Sequence, residues 1–218
     1  MENKVSVLFQ DESVIVAVKP YGALSEPDEK KPNMPSLLQE QSGCERVFTV
    51  HRLDRTTQGV MVYALTQEAA RLLSAQIQRG EMQKTYLAVV EGVPDEPSGE
   101  YVDLLYFDRR KNKSYVVKRE RKGVKEARLR YEIVKTAEVE GERLSLIKIR
   151  LLTGRTHQIR VQLASRKMPL VGDRRYGSKR VCENIQLCAS ELSFIHPFTG
   201  EEMCFSYQPT NECFKILQ

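Results

Sequence analysis

The sequence predicts an α+β fold built on a mixed sheet, and three observations carry that expectation. Strand-like runs are numerous, helical stretches are few, and no regular β-α-β alternation orders them. The runs VSVLF (5–9) and VIVAVKP (14–20) flank the turn-forming QDES and predict a hairpin. KPYGALSEPDEKKPNMP (19–35) is rich in proline, glycine and charge, so it predicts a long loop ahead of a short helix over Ser36–Gln41. VFTV (47–50) and VMVYAL (60–65) predict strands on either side of HRLDRTTQGV (51–60), which places Asp54 on a connection, where functional groups gather.

From Thr66 the period changes. TQEAARLLSAQIQRG has apolar residues at 69, 70, 72, 73 and 77, an N-cap threonine and Gly80 where a helix-ending glycine belongs. KTYLAVVEG (84–92) predicts a buried strand and RLSLIKIRLL (143–152) an alternating one. In LLTGRTHQIRVQLASRK, Gly154 breaks the strand and Thr156 is expected to cap a helix reaching about Arg166, with Arg160 on the face of His157 and Ala164. IQLCASELSF (185–194) and MCFSY (203–207) predict closing strands around HPFTGEE.

A chain of 218 residues buries roughly 70% of its unfolded surface, enough for a core without disulfides or a structural metal. Nothing approaches the ~20 consecutive apolar residues of a membrane span, and the N-terminus lacks the apolar stretch of a secretory signal. The five cysteines have no C-x-x-C spacing, which fits a reducing compartment, and a cytoplasmic location is expected. The net charge of +5 is unevenly spread: residues 108–130 hold eleven Lys and Arg against three Asp and Glu. Such a basic segment on a slightly acidic body fits a polyanion, or else a solvated charged hairpin.

Several chemistries lack their residues. There is neither G-x-x-x-x-G-K-[ST] nor G-x-G-x-x-G, and no G-x-S-x-G elbow. His51, His157 and His196 are too scattered for zinc spacing, so no metal is expected. What remains is Asp54 on a loop between Arg52 and Arg55, Tyr86 on a strand, Arg160 on a helix, and the basic segment.

In combination these stretches resemble the RluA-type pseudouridine synthases over nearly the whole chain and in the family's order. VKPYG is similar to the family's NKPxG, HRLDRTTQG to HRLDxxTSG, KTYLAVVEG to KxYxAxVxG, LLTGRTHQIRVQLA to TGRxHQIR, and VGDRRYG to GDxxYG. IHPFTGEEMCF is similar to the closing turn. The resemblance implies one catalytic domain over residues 1–218, a mixed, mostly antiparallel sheet with a central active-site cleft, and cofactor-free isomerisation of uridine to pseudouridine in structured ribosomal or transfer RNA. It implies Asp54 as the catalytic aspartate, Tyr86 as the active-site tyrosine and Arg160 as the arginine that pairs with the aspartate. The start of the chain is too short for the S4-type module of many relatives, so RNA affinity is expected from the catalytic domain itself. Arg52, Arg55, Arg155, Arg109, Arg110, Lys111 and Lys113 are the expected RNA contacts, on a monomer without membrane attachment. Gln58 stands where the family usually has serine, which bears on RNA contacts and target choice.

The residue types suit that reaction. The N1 to C1′ bond must break, the uracil must turn, C5 must bond to C1′, and the C5 proton must leave. An ionised aspartate serves as nucleophile at C1′ or as base at C2′, and the sequence leaves both open. A nearby arginine favours the ionised form. A tyrosine offers a face for the uracil and a phenol for the C5 proton. A catalytically silent RNA-binding protein or chaperone of the same fold is the alternative reading.

Overall fold

The computed structural model describes residues 5–215. In chain order the first elements are β1 (Ser6–Gln10), β2 (Val14–Lys19), α1 (Met34–Ser42), β3 (Phe48–Thr49), β4 (Gln58–Ala64), α2 (Gln67–Arg79) and β5 (Gln83–Glu91). There follow β6 (Ser98–Asp108), β7 (Lys113–Val117), β8 (Val124–Val139), β9 (Glu142–Leu151), α3 (Gln158–Ser165), a 3₁₀ turn at Arg174–Tyr176, β10 (Leu187–Ile195), β11 (Glu202–Ser206) and α4 (Glu212–Lys215). The chain falls into two compact units. The first runs to Lys84 and takes up Cys188–Pro209; the second holds Thr85–Leu187 and the residues from Thr210 on.

In the first unit the strand path is β1-β2-β4-β10, with β3 on β4 and β11 on β10. Every pairing there is antiparallel except β4 with β10, where Gln58 lies beside Cys188 and Gly59 beside Ala189. The predicted hairpin is β1 and β2. Every residue of β2 is buried, which is why that stretch is continuously apolar rather than alternating. Helix α2 starts where its cap signals place it: the Thr66 side chain accepts the Ala69 N–H, and Gly80 closes the helix in the left-handed region at φ 73°. Its inner face puts Ala69 and Leu73 into a core with Val14, Val16, Val60, Val62, Leu192 and Phe194. Gln76 fastens the same face to β10, donating to the Ile195 carbonyl at 2.7 Å and accepting its N–H at 3.0 Å.

The second unit is an antiparallel path, β5-β9-β8-β6-β7. Strand β8 is sixteen residues long and alternates through Ala127, Leu129 and Tyr131 inward against charged residues outward. Helix α3 contributes Val161 to a small core with Leu105 and Ala127. The pairings are mixed and mostly antiparallel and the helices are few, as the sequence predicts.

The start of α3 departs from expectation. His157, not Thr156, occupies the cap position, in the left-handed region at φ 55° and without a side-chain cap bond. The Gln158 side chain organises this entry instead. Its Oε1 accepts from the Thr153 hydroxyl at 2.8 Å and the Arg155 N–H at 3.0 Å, while its Nε2 donates to the Arg128 carbonyl at 3.0 Å. These bonds fix the loop ahead of α3 against β8, and the chain enters the helix through the left-handed His157. No described helix is long and apolar enough to cross a membrane.

Candidate active site

Asp54 sits on the connection between β3 and β4, half-buried, and the segment just after β2 grips the backbone on both sides of it. The Ser25 hydroxyl donates to the Leu53 carbonyl and accepts the Leu53 N–H, each at 3.0 Å. Gly22 N–H donates to the Arg55 carbonyl at 2.9 Å, and the Thr57 N–H closes a turn on the Asp54 carbonyl at 2.9 Å. The exposed stretch 26–32 between these anchors is closed at its base, with Leu24 N–H bonded to Pro32 O at 2.9 Å and Met34 N–H to Leu24 O at 2.8 Å.

Lys19, fully buried, is the centre of this clamp. Its ammonium donates to the carbonyls of Ala23 at 2.8 Å, Pro20 at 2.9 Å and Arg55 at 3.4 Å. Burial pulls its pKa down to about 7, against an upward pull from the Asp54 carboxylate and a further downward one from Arg55. The lysine of VKPYG therefore ties the Asp54 loop down and places a partly ionised ammonium in the field of its carboxylate.

Below the loop, Gly59 has φ 134°, and a Cβ there would lie 2.2 Å from the Ala189 carbonyl oxygen. Glycine is the residue that allows β10 to approach the root of the loop. Gln58 donates to the Tyr207 hydroxyl at 2.7 Å, so the residue at the family's serine position reaches a tyrosine just beyond β11. His51 is buried and accepts the Val62 N–H on Nε2 at 3.1 Å. Burial, then the Lys84 charge, holds its pKa well below the ordinary value, so the ring is neutral.

A Ser-His-Asp cluster does occur elsewhere, but its hydrogen bonds argue against nucleophilic catalysis. His196 Nδ1 accepts the Thr199 N–H at 3.1 Å, which puts the proton on Nε2, 2.8 Å from Asp11 Oδ2 and 3.1 Å from the Ser13 hydroxyl. An Nε2 that already carries its proton cannot accept the one on Ser13. The cluster fastens the closing HP turn to the β1–β2 turn.

In the second unit Tyr86 is buried on β5 opposite Ile149. Arg160 is buried on α3 and forms a two-point ion pair with Asp173, Nε to Oδ2 at 2.7 Å and Nη2 to Oδ1 at 3.0 Å; the third nitrogen, Nη1, stands outside that pair. Its guanidinium carbon lies 5.0 Å from the centre of the Tyr176 ring. The Tyr176 hydroxyl accepts the Ser114 N–H at 2.8 Å and lies 3.0 Å from His157 Nδ1. Arg160 and His157 thus share a face, as their spacing predicts. The GDRRYG stretch, which is similar to the family's GDxxYG segment, supplies both the counter-ion and the aromatic neighbour of Arg160.

The basic segment is a braced hairpin. Asp108 turns the β6–β7 tip by accepting the N–H groups of Arg110 at 2.9 Å and Lys111 at 3.1 Å, which leaves Arg109, Arg110 and Lys111 exposed. The 3₁₀ turn holds the tip from behind: Arg175 donates to the carbonyls of Lys111 and Asn112, and Lys113 donates to the Arg175 carbonyl at 2.8 Å. Not every cation of the run is turned outward to a partner. Arg128 and Arg130 both pair with Glu100; outside the run, Arg155 donates to the Glu126 carbonyl at 2.8 Å. Arg52 makes an exposed pair with Glu26 at 3.1 Å, the kind of weak contact that a phosphate can replace. Arg55 is exposed. Among the described residues no group of His, Cys, Asp and Glu is arranged to hold a metal ion.

Comparison with known proteins agrees with these motifs. Residues 13–165 match the model of the RNA pseudouridylate synthase family. The chain is 34% identical to the dual-specificity RNA pseudouridine synthase RluA of Salmonella typhimurium, over 91% of this chain and 90% of that one. It is 32% identical to tRNA pseudouridine synthase C of Yersinia pestis, over 91% of this chain and 84% of the relative. It spans 66% of the length of a longer relative from Mycoplasma pneumoniae. The structure of human RNA pseudouridylate synthase domain containing 1 shares the fold, with a TM-score of 0.79 at 22% identity over 95% of this chain and 84% of that one. The Asp54 loop with its clamp, the strand of Tyr86, the helix of Arg160 and this family match together lead to one conclusion: the chain belongs to the RluA-type RNA pseudouridine synthases, isomerases that convert uridine to pseudouridine in RNA.

Proposed function

We propose that Asp54 performs the sugar chemistry of this isomerisation, without cofactor or metal, on a uridine turned out of a structured transfer or ribosomal RNA. The observation that carries this reading is the clamp: four backbone and side-chain hydrogen bonds with Lys19, Gly22 and Ser25 hold the residues on either side of one carboxylate. A loop fixed so closely around one acidic residue is preorganised for a reaction at that residue. Asp54 either attacks C1′ or removes a proton from C2′. Arg160 steadies the carboxylate as its anion, with Asp173 fixing the guanidinium plane. Tyr86 receives the uracil and takes up the C5 proton.

The RNA backbone is held by Arg52, Arg55 and Arg155 and by the braced tip of Arg109, Arg110, Lys111 and Lys113. Base extrusion costs a few kcal/mol, which these phosphate contacts offset. Residues 1–218 act as one catalytic domain and as a monomer. A transfer RNA substrate is supported by the name of the Yersinia pestis relative.

The test is release of tritium from RNA carrying 5-tritiated uridine. Wild-type protein should release label and leave pseudouridine in place of uridine, and Asp54→Asn should bind the RNA without releasing label. Label release by Asp54→Asn at the wild-type rate would refute the role of Asp54, and free uracil as product would refute isomerisation. Pseudouridine mapping of transfer and ribosomal RNA from cells with and without the gene identifies the uridine.

A further inference from the structure

Two of the five cysteines form a pair that the isomerisation does not use. The sulfurs of Cys182 and Cys213 lie 3.5 Å apart, and both side chains are partly accessible. Cys213 sits on α4 beside the fully buried Phe214. Cys182 lies against the turn that leads into the Arg160 counter-ion: a Cβ on Gly172 would be 3.1 Å from the Cys182 Cβ and 2.7 Å from the Asn184 carbonyl oxygen. Gly172 is the residue before Asp173.

We propose that Cys182 and Cys213 are a redox modification site, which a peroxide closes to a disulfide and thiol reductants reopen, and whose closure slows turnover through the Gly172–Asp173 turn. A disulfide is about 2.05 Å long, so the sulfurs must close by roughly 1.5 Å, a change that small side-chain rotations supply. In the first step one thiolate attacks a peroxide oxygen; the O–O bond breaks, a sulfenic acid and hydroxide form, and the proton released on ionisation of the thiol turns the hydroxide into water. In the second step the other thiolate attacks the sulfenic sulfur; the S–S bond forms, the S–O bond breaks, and hydroxide leaves and is protonated to a second water. Two thiols and one hydrogen peroxide thus give one disulfide and two waters. In a compartment kept reduced by thiols such a bond is transient, as befits a sensor rather than a staple. The link joins α4 to the 178–184 stretch. Cys182 packs directly against Gly172, so a change in its side chain is felt at that turn, and Asp173 is the next residue.

The experiment treats the full chain with hydrogen peroxide and digests it after glutamate without reductant, which separates Cys182, Cys188, Cys204 and Cys213 into different peptides. The expected product is the Cys182 peptide joined to the Cys213 peptide, two hydrogens lighter than the sum and split by dithiothreitol. Denatured oxidised protein should then titrate three thiols where reduced protein titrates five. Cys182→Ser and Cys213→Ser should each keep all four of their thiols. Persistence of both thiols, direct passage to sulfinic acid, or linkage to another cysteine would overturn the site. Tritium release should fall several-fold on oxidation of wild type and recover with dithiothreitol, and Cys182→Ser should be insensitive to the same treatment. A disulfide that forms and leaves the rate unchanged would overturn its coupling to the Asp173 turn. Because the peptide linkage is read without any RNA, failure of the redox site is distinguishable from failure of the role assigned to Asp54.

Discussion

Arg160 and Asp173 meet edge to edge in the interior, two guanidinium nitrogens on two carboxylate oxygens at 2.7 and 3.0 Å, with side chains 5% and 1% exposed. Removing the charge of one partner leaves the other buried without it, which typically costs 3–5 kcal/mol. Asp173→Asn keeps the shape and loses the charge, so it should lower the unfolding free energy by about 3 kcal/mol in urea titration. Tritium release should fall more than RNA binding does, because the asparagine no longer fixes the guanidinium. An unchanged rate in folded Asp173→Asn would remove Asp173 from the proposed machinery.

Ser25 predicts a second outcome. Its hydroxyl serves the carbonyl and the N–H of Leu53 at once, so Ser25→Ala leaves two backbone groups in a buried place without their partner. The expected loss is about 2 kcal/mol of stability. The residue before Asp54 is also released, so kcat should drop with little change in KM. Steady-state tritium release separates the two parameters, and a change confined to KM would count against a clamp that acts on Asp54.

Stability should depend on pH through the half-buried Lys84 and the buried Lys19. Burial lowers the Lys84 pKa from 10.5 to about 8. Between those values the unfolded chain holds a proton that the folded chain has lost, so this group makes stability rise with pH from about 8 to about 10. Below about 8 both states are protonated, and the penalty is constant and at its greatest. Lys84→Met should therefore be more stable than wild type at neutral pH and gain less on alkalinisation. Lys19, lowered to about 7, adds a slope of the same sign that begins lower, so the variant keeps part of the trend. Urea midpoints across this range provide the check; a steeper rise in Lys84→Met would contradict it.

The basic tip is expected to act through charge alone. Arg109, Arg110 and Lys111 are exposed, and the turn beneath them is made by Asp108 and backbone groups, so replacing all three by glutamine should leave the unfolding midpoint unchanged. Affinity for transfer RNA should fall, and the slope of log K against log salt should become shallower by about 2 to 3 if each cation neutralises one phosphate. Filter binding at several salt concentrations measures the slope, and an unaltered slope would place the RNA elsewhere.

These outcomes depend on residues of uneven legibility. Helix α2 was readable because period, Thr66 cap and Gly80 agree on one answer. Asp54, Tyr86 and Arg160 were nameable because each lies inside a contiguous motif. Strands β6, β7 and β8 were obscured by charge: VKEARLRYE alternates Ala127, Leu129 and Tyr131 with charged residues, a period-two signal inside what reads as a basic run. Asp173, Lys19 and Ser25 were missed for another reason. Each reaches a partner 13 to 36 residues away, and such contacts leave no periodicity. His157 was missed because Thr156 is the better capping residue by type, whereas the chain turns into α3 through a left-handed His157 that makes no side-chain cap bond.

The pinched base of the 24–34 stretch has a practical consequence. The bonds of Leu24 to Pro32 and of Met34 to Leu24 seal the neck of an exposed excursion, which beyond the neck meets the Asp54 loop through the exposed Glu26–Arg52 pair. Lengthening a surface loop adds only about 0.6 kcal/mol per doubling. Residues 27–31 are therefore a graft point: a peptide tag or a compact guest module spliced there should leave turnover intact, and a fused RNA-recognition module would let an investigator redirect the enzyme to transcripts of choice.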